Sequence, residues 1–264
     1  MSLTRHKHMF ETFWRVAALI IGFSRLLGPL ALRYTFRFAA RCKPVQVPEE
    51  DLPLEVATIF RARIPQLLNL GFDLVGCYDC GALANDTRNY VAYFCDYTRN
   101  DFASVTALIT PRNTASYFEF STRFSNGATV ETNTNSILPL TPANPGITVC
   151  RFPEITEPEA LYQVHHRLIE KYAGGRWAQS EPKGEEIQRL VRVLENYGPR
   201  HARIGYMYRA DGGEFYQLTW KGALLMTWRG LWPASLLRRQ MQRQEMESEL
   251  RSLEGSGVTA LQKA

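Results

Sequence analysis

The sequence predicts an α+β fold: an antiparallel β-meander of about five to six strands plus a C-terminal-side hairpin, packed with helices and flanked by basic apolar N- and C-terminal helices. Three observations point to it. Short aromatic and β-branched segments follow one another between turn residues, helical periodicity appears on either side of them, and both ends mix bulky apolar side chains with basic ones. With 264 residues, 45% hydrophobic and 22% charged, the chain has the composition of a globular protein with a sizeable core. The boundaries expected are 1–48 for a basic apolar membrane-associating segment and 49–220 for the α+β body. An amphipathic Trp/Arg-rich helix is expected over 221–254 and a disordered tail over 255–264.

The strands come first. "FDLVGCY", "NYVAYFCDY", "FASVTALIT", "SYFEFSTRF", "ATVETNTNS" and "ITVCRF" are short runs separated by turn residues, which reads as a meander of antiparallel neighbours. Asn126-Gly127 suits a two-residue type I′ turn, in which both residues take positive φ. That turn pairs Phe124 with Thr129, Thr122 with Glu131, Phe120 with Asn133 and Phe118 with Asn135. One face then carries Phe118 and Phe120 beside Glu131, Asn133 and Asn135, the mixture of apolar walls and a few polar groups found in small ligand pockets. Glu119, Ser121, Arg123, Thr132 and Thr134 fall on the other face.

The helices follow from the longer period. In "PLEVATIFRARIPQLLNLGF", Val56, Ile59, Phe60, Ile64, Leu67 and Leu68 share one side, Pro65 adds a kink and Gly71 ends the helix. Thr156-Glu157-Pro158-Glu159 has the spacing of a capping box and opens a helix through Leu161, Val164, Leu168 and Tyr172, closed by Gly174-Gly175. "EEIQRLVRVLENYG" should bury Ile187, Leu190, Val191 and Leu194 and end at Gly198-Pro199. A last hairpin, "ARIGYMYRADGGEFYQLTW", turns at Asp211-Gly212-Gly213.

The charge map separates the ends from the body. Thr12 to Pro48 holds six basic residues and no acid, and Phe215 to Gln244 holds five and no acid. Without those eleven, 20 Lys and Arg face 26 Asp and Glu, so a net charge of +5 conceals an acidic body with basic ends. The N-terminal stretch makes a poor cleaved leader, because Arg25 interrupts the apolar run and no small-residue cleavage site follows. As a spanning helix it must carry Arg25 into the bilayer at about 2.5–3.5 kcal/mol if central, with Pro29 as a further break. Its basic residues instead fall within an arc of about 160° when projected as a helix, as an in-plane interfacial anchor requires. In the C-terminal stretch Trp220, Leu224, Thr227 and Leu231 recur on one side, with a bend expected at Pro233.

The partner expected is an anionic membrane surface at its cytoplasmic face, touched by Trp14, Arg15, Arg25, Arg33, Trp220, Trp228, Arg229 and Trp232. Nucleic acid is not expected, because Leu, Ile, Ala and Met rather than polar groove residues lie between these aromatics and cations. The sheet domain would bind a protein or small-molecule ligand near that surface. Two alternatives remain. One is an enzyme acting on a membrane-proximal substrate through Glu119, Arg123, Glu131, Asn133 and Asn135. The other is a soluble interaction protein whose apolar ends pack on its own body.

No phosphate loop, dinucleotide fingerprint, zinc helix or nucleophile elbow is present, so the sequence calls for no catalytic residue, cofactor or metal. Cys77 and Cys80 form a CxxC, but residues three apart on a strand point to opposite faces and cannot chelate together. Of the five histidines, His6 and His8 lie near the N-terminus, and His165 falls on the apolar side of its helix as a satisfied, interfacial residue rather than a catalytic one.

Overall fold

Alternation along the strands separates two cores, because both faces of the sheet are covered. The computed structural model describes residues 22–23, 26–84, 87–137, 139, 141–210, 212–231 and 233–254. Residues 26–35 form helix α1, followed by β1 (Arg37–Ala39), β2 (Val45–Gln46), α2 (Leu54–Asn69), β3 (Asp73–Ala84), β4 (Thr87–Asp96), β5 (Asp101–Ile109), β6 (Thr114–Arg123), β7 (Thr129–Asn133) and β8 (Ile147–Arg151). Then come α3 (Pro158–Ala173), α4 (Glu186–Arg203), β9 (Met207–Arg209), β10 (Phe215–Leu218), α5 (Trp220–Gly230) and α6 (Ala234–Glu254). The described strands make one sheet in the order β8-β7-β6-β5-β4-β3-β1-β10-β9, with β2 also on β3. The expected α+β class and the meander are therefore present, and β1 joins the C-terminal hairpin to the meander edge through Phe38 opposite Ala84 and Tyr216.

One pairing departs from the expected meander. β8 runs parallel to β7, with Glu131 opposite Val149. The segment between them is too long for a hairpin and returns the chain to the start of β7, as a parallel neighbour requires.

On the first face Tyr90, Phe94, Val105, Phe118, Phe120 and Val130 meet Phe60 and Leu67 of α2 and Leu161, Val164 and Leu168 of α3. On the second face Val91, Tyr93, Cys95 and Phe102 meet Ile187, Leu190 and Leu194 of α4, while Tyr216 and Leu218 bring in Ala223 and Met226 of α5. Cys77 packs with the first core and Cys80 with the second, so the two thiols do lie on opposite faces.

The β6–β7 turn corrects the expected register. Phe124 N–H donates to Ala128 O at 2.8 Å, which leaves a three-residue loop, Ser125-Asn126-Gly127. Gly127 alone in it takes positive φ, +83°, and Asn126 Oδ1 accepts from Ala128 N–H. One extra loop residue slips the ladder by one, so Glu119 faces Asn133, Phe120 faces Thr132 and Ser121 faces Glu131. A one-residue slip exchanges the faces of a strand. Phe118 and Phe120 therefore join Thr132 and Val130 in the first core, while Glu131 and Asn133 join Glu119, Ser121 and Arg123 on the second face.

The helices show smaller differences. α2 runs through Pro65, with Gly71 at φ +91° after its end, but Leu68 stays exposed. α3 begins at Pro158 with Glu157 as its N-cap and no side-chain capping bond, so the expected capping box does not form; Gly174 does close it at φ +53°. α4 continues past Gly198-Pro199 to Arg203. Tyr216 lies against Gly198 so closely that a Cβ there would sit 2.3 Å from the ring, and this packing outweighs the local signal to stop. The C-terminal stretch is two helices, the first ending at Gly230 and the second starting at Ala234, directly after Pro233. Among the described residues no helix is long and apolar enough to cross a membrane.

Candidate functional site

The slip in register assembles a polar cavity. It lies on the second face where α4 passes over β5, β6 and β7, and it holds about 390 Å³. Glu119, Ser121 and Arg123 of β6 and Glu131 of β7 form its floor, Arg189 and Arg192 of α4 its roof, and the half-buried Asn144 and exposed Asn196 its mouth. Strand alternation places the floor residues on one side, and α4 lowers Arg189 into the sheet while Ile187, Leu190 and Leu194 pack beside it.

Arg189 is 5% exposed. Its guanidinium stacks 3.8 Å above the centre of the Phe102 ring, and Tyr93 stacks on Phe102 in turn. Nη2 reaches Ser121 Oγ at 3.3 Å, and Nη1 is buried with no hydrogen-bond partner. Burial lowers the pKa of this arginine. An unfilled donor of this kind costs about 1–3 kcal/mol unless something supplies an acceptor.

The two carboxyls behave as a pair. Glu119 accepts a hydrogen bond from Asn133 Nδ2 at 2.9 Å, yet burial raises its pKa against the pull of Asn133, Arg151 and Arg189. Burial, reinforced by the charge of Glu119, pushes Glu131 up to about 8. Both side chains touch the cavity and so keep some contact with water, but protein surrounds them on their other sides. At neutral pH the pair keeps a proton. Outside them Glu181 bridges Arg192 at 3.1 Å and Arg123 at 3.6 Å. Three arginines thus face three carboxyls, and the retained proton leaves a surplus of positive charge.

The pocket residues expected from the sequence are divided by the fold. Glu131 lines the cavity, Asn133 supports Glu119 from beside it, and Phe118 and Phe120 lie in the first core across the sheet. Asn135 lies beyond β7, donating its N–H to Asn133 Oδ1 and accepting from Ile137 N–H. Glu119, Arg123 and Glu131, named for the enzymatic alternative, do come together. Arg189 was not anticipated. Its signal was a charge on the shoulder of the apolar stripe of α4, where Ile187, Leu190 and Leu194 mark the inward side.

A second polar cluster occupies the first face. Thr122 Oγ1 and Tyr162 OH both donate to the Asp101 carboxylate, and His165 sits between Thr122 Oγ1 at 3.0 Å and Thr132 Oγ1 at 2.8 Å. His165, Thr122 and Thr132 are 0% exposed, so the cluster is a buried brace between α3 and the sheet. His165 is the satisfied interfacial residue expected.

The membrane-facing set is partly in view. Trp14, Arg15, Arg25 and Trp232 lie outside the described residues, as do His6, His8 and the tail 255–264. Arg33 is turned to the body: it donates to Leu218 O at 2.6 Å and lies against the Tyr208 and Trp220 rings. Trp220 and Trp228 are 49% and 54% exposed, and Arg229 is half-buried. α5 turns Gly222, Ala223, Met226 and Thr227 inward, so of the expected side Thr227 packs while Trp220 and Leu224 stay exposed. Gly28 of α1 approaches Thr227 so closely that a Cβ there would come within 2.8 Å of its methyl. The two helices therefore lie together, with Phe23, Leu26, Leu30 and Tyr34 exposed on the N-terminal side.

Fold and cavity together define an α+β protein with a mostly antiparallel sheet and a polar cavity beneath one helix. The chain matches no family model, no curated protein and no solved structure. Its chemistry therefore carries the functional reading.

Proposed function

We propose that this protein associates peripherally with an anionic membrane surface, at the cytoplasmic face, and binds a small molecule in the cavity of its sheet domain. The observation that carries the reading is the exposed tryptophan side of α5. Its small residues pack inward while Trp220, Leu224 and Trp228, at i, i+4 and i+8, stay about half exposed. Beside them the N-terminal side shows Phe23, Leu26, Leu30 and Tyr34. Exposed apolar surface gathered from two helices is the mark of an interaction site. Tryptophan favours the membrane–water boundary, where its ring and N–H meet apolar and polar surroundings.

Charge supports lipid as the occupant. Arg151, Arg229 and Arg238 lie close enough that, after burial, the two neighbours hold the Arg238 pKa down, and Arg151 Nε and Arg238 Nη1 are buried without partners. Headgroups contribute about 1 kcal/mol per basic residue near the surface.

Co-sedimentation with vesicles tests this. Wild type should pellet with phosphatidylserine-containing vesicles at low salt and be partly released at high salt. Trp220→Ser/Trp228→Ser should remain soluble. No binding to anionic vesicles at low salt would remove the proposal. The enzymatic alternative is favoured only by the protonated Glu119–Glu131 pair, a potential acid–base couple. It predicts turnover of a membrane-proximal substrate that Glu131→Gln abolishes.

A further inference from the structure

We propose that the cavity between α4 and strands β6–β7 is a binding site for a small organic carboxylate, anchored by Arg189 with Ser121 and Glu131 as further hydrogen-bond partners. This rests on the ligand-binding half of the function proposed above and is independent of lipid docking.

The geometry selects the ligand. Arg189 is stacked flat on Phe102 and presents its edge along the sheet toward Ser121. It forms no salt bridge within 4.0 Å to Glu119 or Glu131, although both lie close enough to influence one another electrically. The described residues give Glu131 no side-chain hydrogen bond. A guanidinium lacking one acceptor thus faces a carboxyl lacking a partner across a cavity of about 390 Å³. A carboxylate placed between them satisfies both. Arginine's planar fork matches its two oxygens, a small turn of the guanidinium brings Nη1 to bear, and a protonated Glu131 donates. The volume admits a molecule on the order of ten non-hydrogen atoms.

Other ligand classes fit less well. A metal ion would meet Arg189, Arg123 and Arg192, and no cluster of metal-binding side chains is present among the described residues. A phosphate dianion would place two charges beside the Glu119–Glu131 pair, whereas a monoanion needs only one retained proton. The groups facing Glu131 are Tyr117, Glu119 and Arg123 from β6, Tyr93 from β4, Arg151 from β8, Arg189 and Arg192 from α4, and Glu181 before α4. Burial, reinforced by Glu119 and opposed by Arg189 and Arg151, pushes Glu131 up to about 8, so the donor is in place at neutral pH and is lost above it.

Calorimetric titration of the full chain, without lipid, tests the site with acetate, pyruvate, benzoate and inorganic phosphate. At least one carboxylate should bind near neutral pH, with affinity falling about tenfold per unit above about pH 8. Arg189→Lys should weaken binding by about tenfold or more, and Glu131→Gln should retain binding without that fall. Absence of binding by all three carboxylates, binding of phosphate alone, or an Arg189→Lys variant with wild-type affinity overturns the proposal. If Arg189→Lys fails to fold, the Glu131→Gln profile decides: an alkaline fall equal to that of wild type overturns it. The same variants in the vesicle assay should pellet normally, which separates failure of this site from failure of lipid docking.

Discussion

Acid should weaken this fold through a single histidine. His165 is fully buried on the first face, with Nε2 against Thr122 Oγ1 and Nδ1 against Thr132 Oγ1. The Thr122 hydroxyl spends its one hydrogen on Asp101, so it must accept from Nε2–H, and Nδ1 accepts from Thr132. That assigns a neutral imidazole with its proton on Nε2. Burial, with a lesser contribution from His166, pushes the folded pKa down to about 3. An unfolded histidine titrates near about 6.5. The unfolded chain therefore binds the extra proton throughout the window between these values, and stability falls with pH by about 1.4 kcal/mol per unit. At about pH 4.5 the loss reaches about 3 kcal/mol, a substantial part of the 5–15 kcal/mol typical of a domain.

Asp101 acts in the opposite sense. Burial raises its pKa despite the Thr122 and Tyr162 donors, so the folded state takes up a proton more readily and gains stability as pH falls toward the carboxylate range. The comparison must therefore isolate His165. Urea unfolding of wild type and His165→Gln, followed by circular dichroism from about pH 7.5 to 4.5, does so. The variant should be less stable at neutral pH, and its deficit should shrink by about 3 kcal/mol at the acid end. A constant deficit would refute the assignment of a neutral, sealed imidazole.

Other perturbations follow from the same contacts. Gly222→Ala would place a Cβ 2.1 Å from the Tyr206 carbonyl oxygen, which no rotamer relieves, and should lower stability by about 3 kcal/mol or more in urea unfolding. Glu249 accepts from Lys171 Nζ at 2.6 Å and Tyr172 OH at 2.7 Å, tying α6 to α3; Glu249→Ala should raise hydrogen exchange in α6 with a global loss of only about 1 kcal/mol. Burial pushes Cys77 and Cys150 up to about 11, and Cys95, with added effect from Glu186, up to about 12. Their alkylation in the native protein at neutral pH should be about a hundredfold or more slower than in the unfolded chain, as mass spectrometry would show. Glu131→Met should leave the free protein as stable as wild type or about 1 kcal/mol more stable in the same unfolding assay, because it removes a desolvated carboxyl.

The class and the six meander strands were legible because aromatic and β-branched runs between turn residues need no tertiary information to be recognised. His165 was legible for a similar reason: its place on an apolar helix stripe forecast a satisfied, buried ring. The site was not. Asn126-Gly127 supports both a two-residue and a three-residue turn, and only packing chooses. The apolar set Phe118, Phe120, Phe124 and Val130 shares one face in the three-residue register, whereas the two-residue register turns Val130 away from the phenylalanines. α4 was misread for a related reason. Its end at Gly198-Pro199 is a sound local signal, but Tyr216 needs the glycine as a surface to lie on, and helical geometry continues to Arg203. On α5 the periodicity was visible, but which side packs depended on close approach to Tyr206 and Gly28, for which small residues serve and tryptophan does not.

The two polar clusters on opposite faces have different physical status. On the first face each partner is filled: Asp101 has two donors, His165 has a hydroxyl at each nitrogen, and no atom of the cluster is buried without a bond. A closed network of that kind fixes the angle of α3 on the sheet and needs nothing from outside. On the second face the groups are as costly to desolvate, yet Arg189 Nη1 has no acceptor and Glu131 accepts from nothing. A core built for stability alone would place apolar side chains at Glu131 and Arg189, as the fold does opposite them at Val130 and Phe120. The unfilled cluster lies where the cavity is, and the filled one where the packing is dense. The second face is therefore incomplete without a molecule from outside the chain, and the missing part is an acceptor for Arg189 that can also take a hydrogen from Glu131.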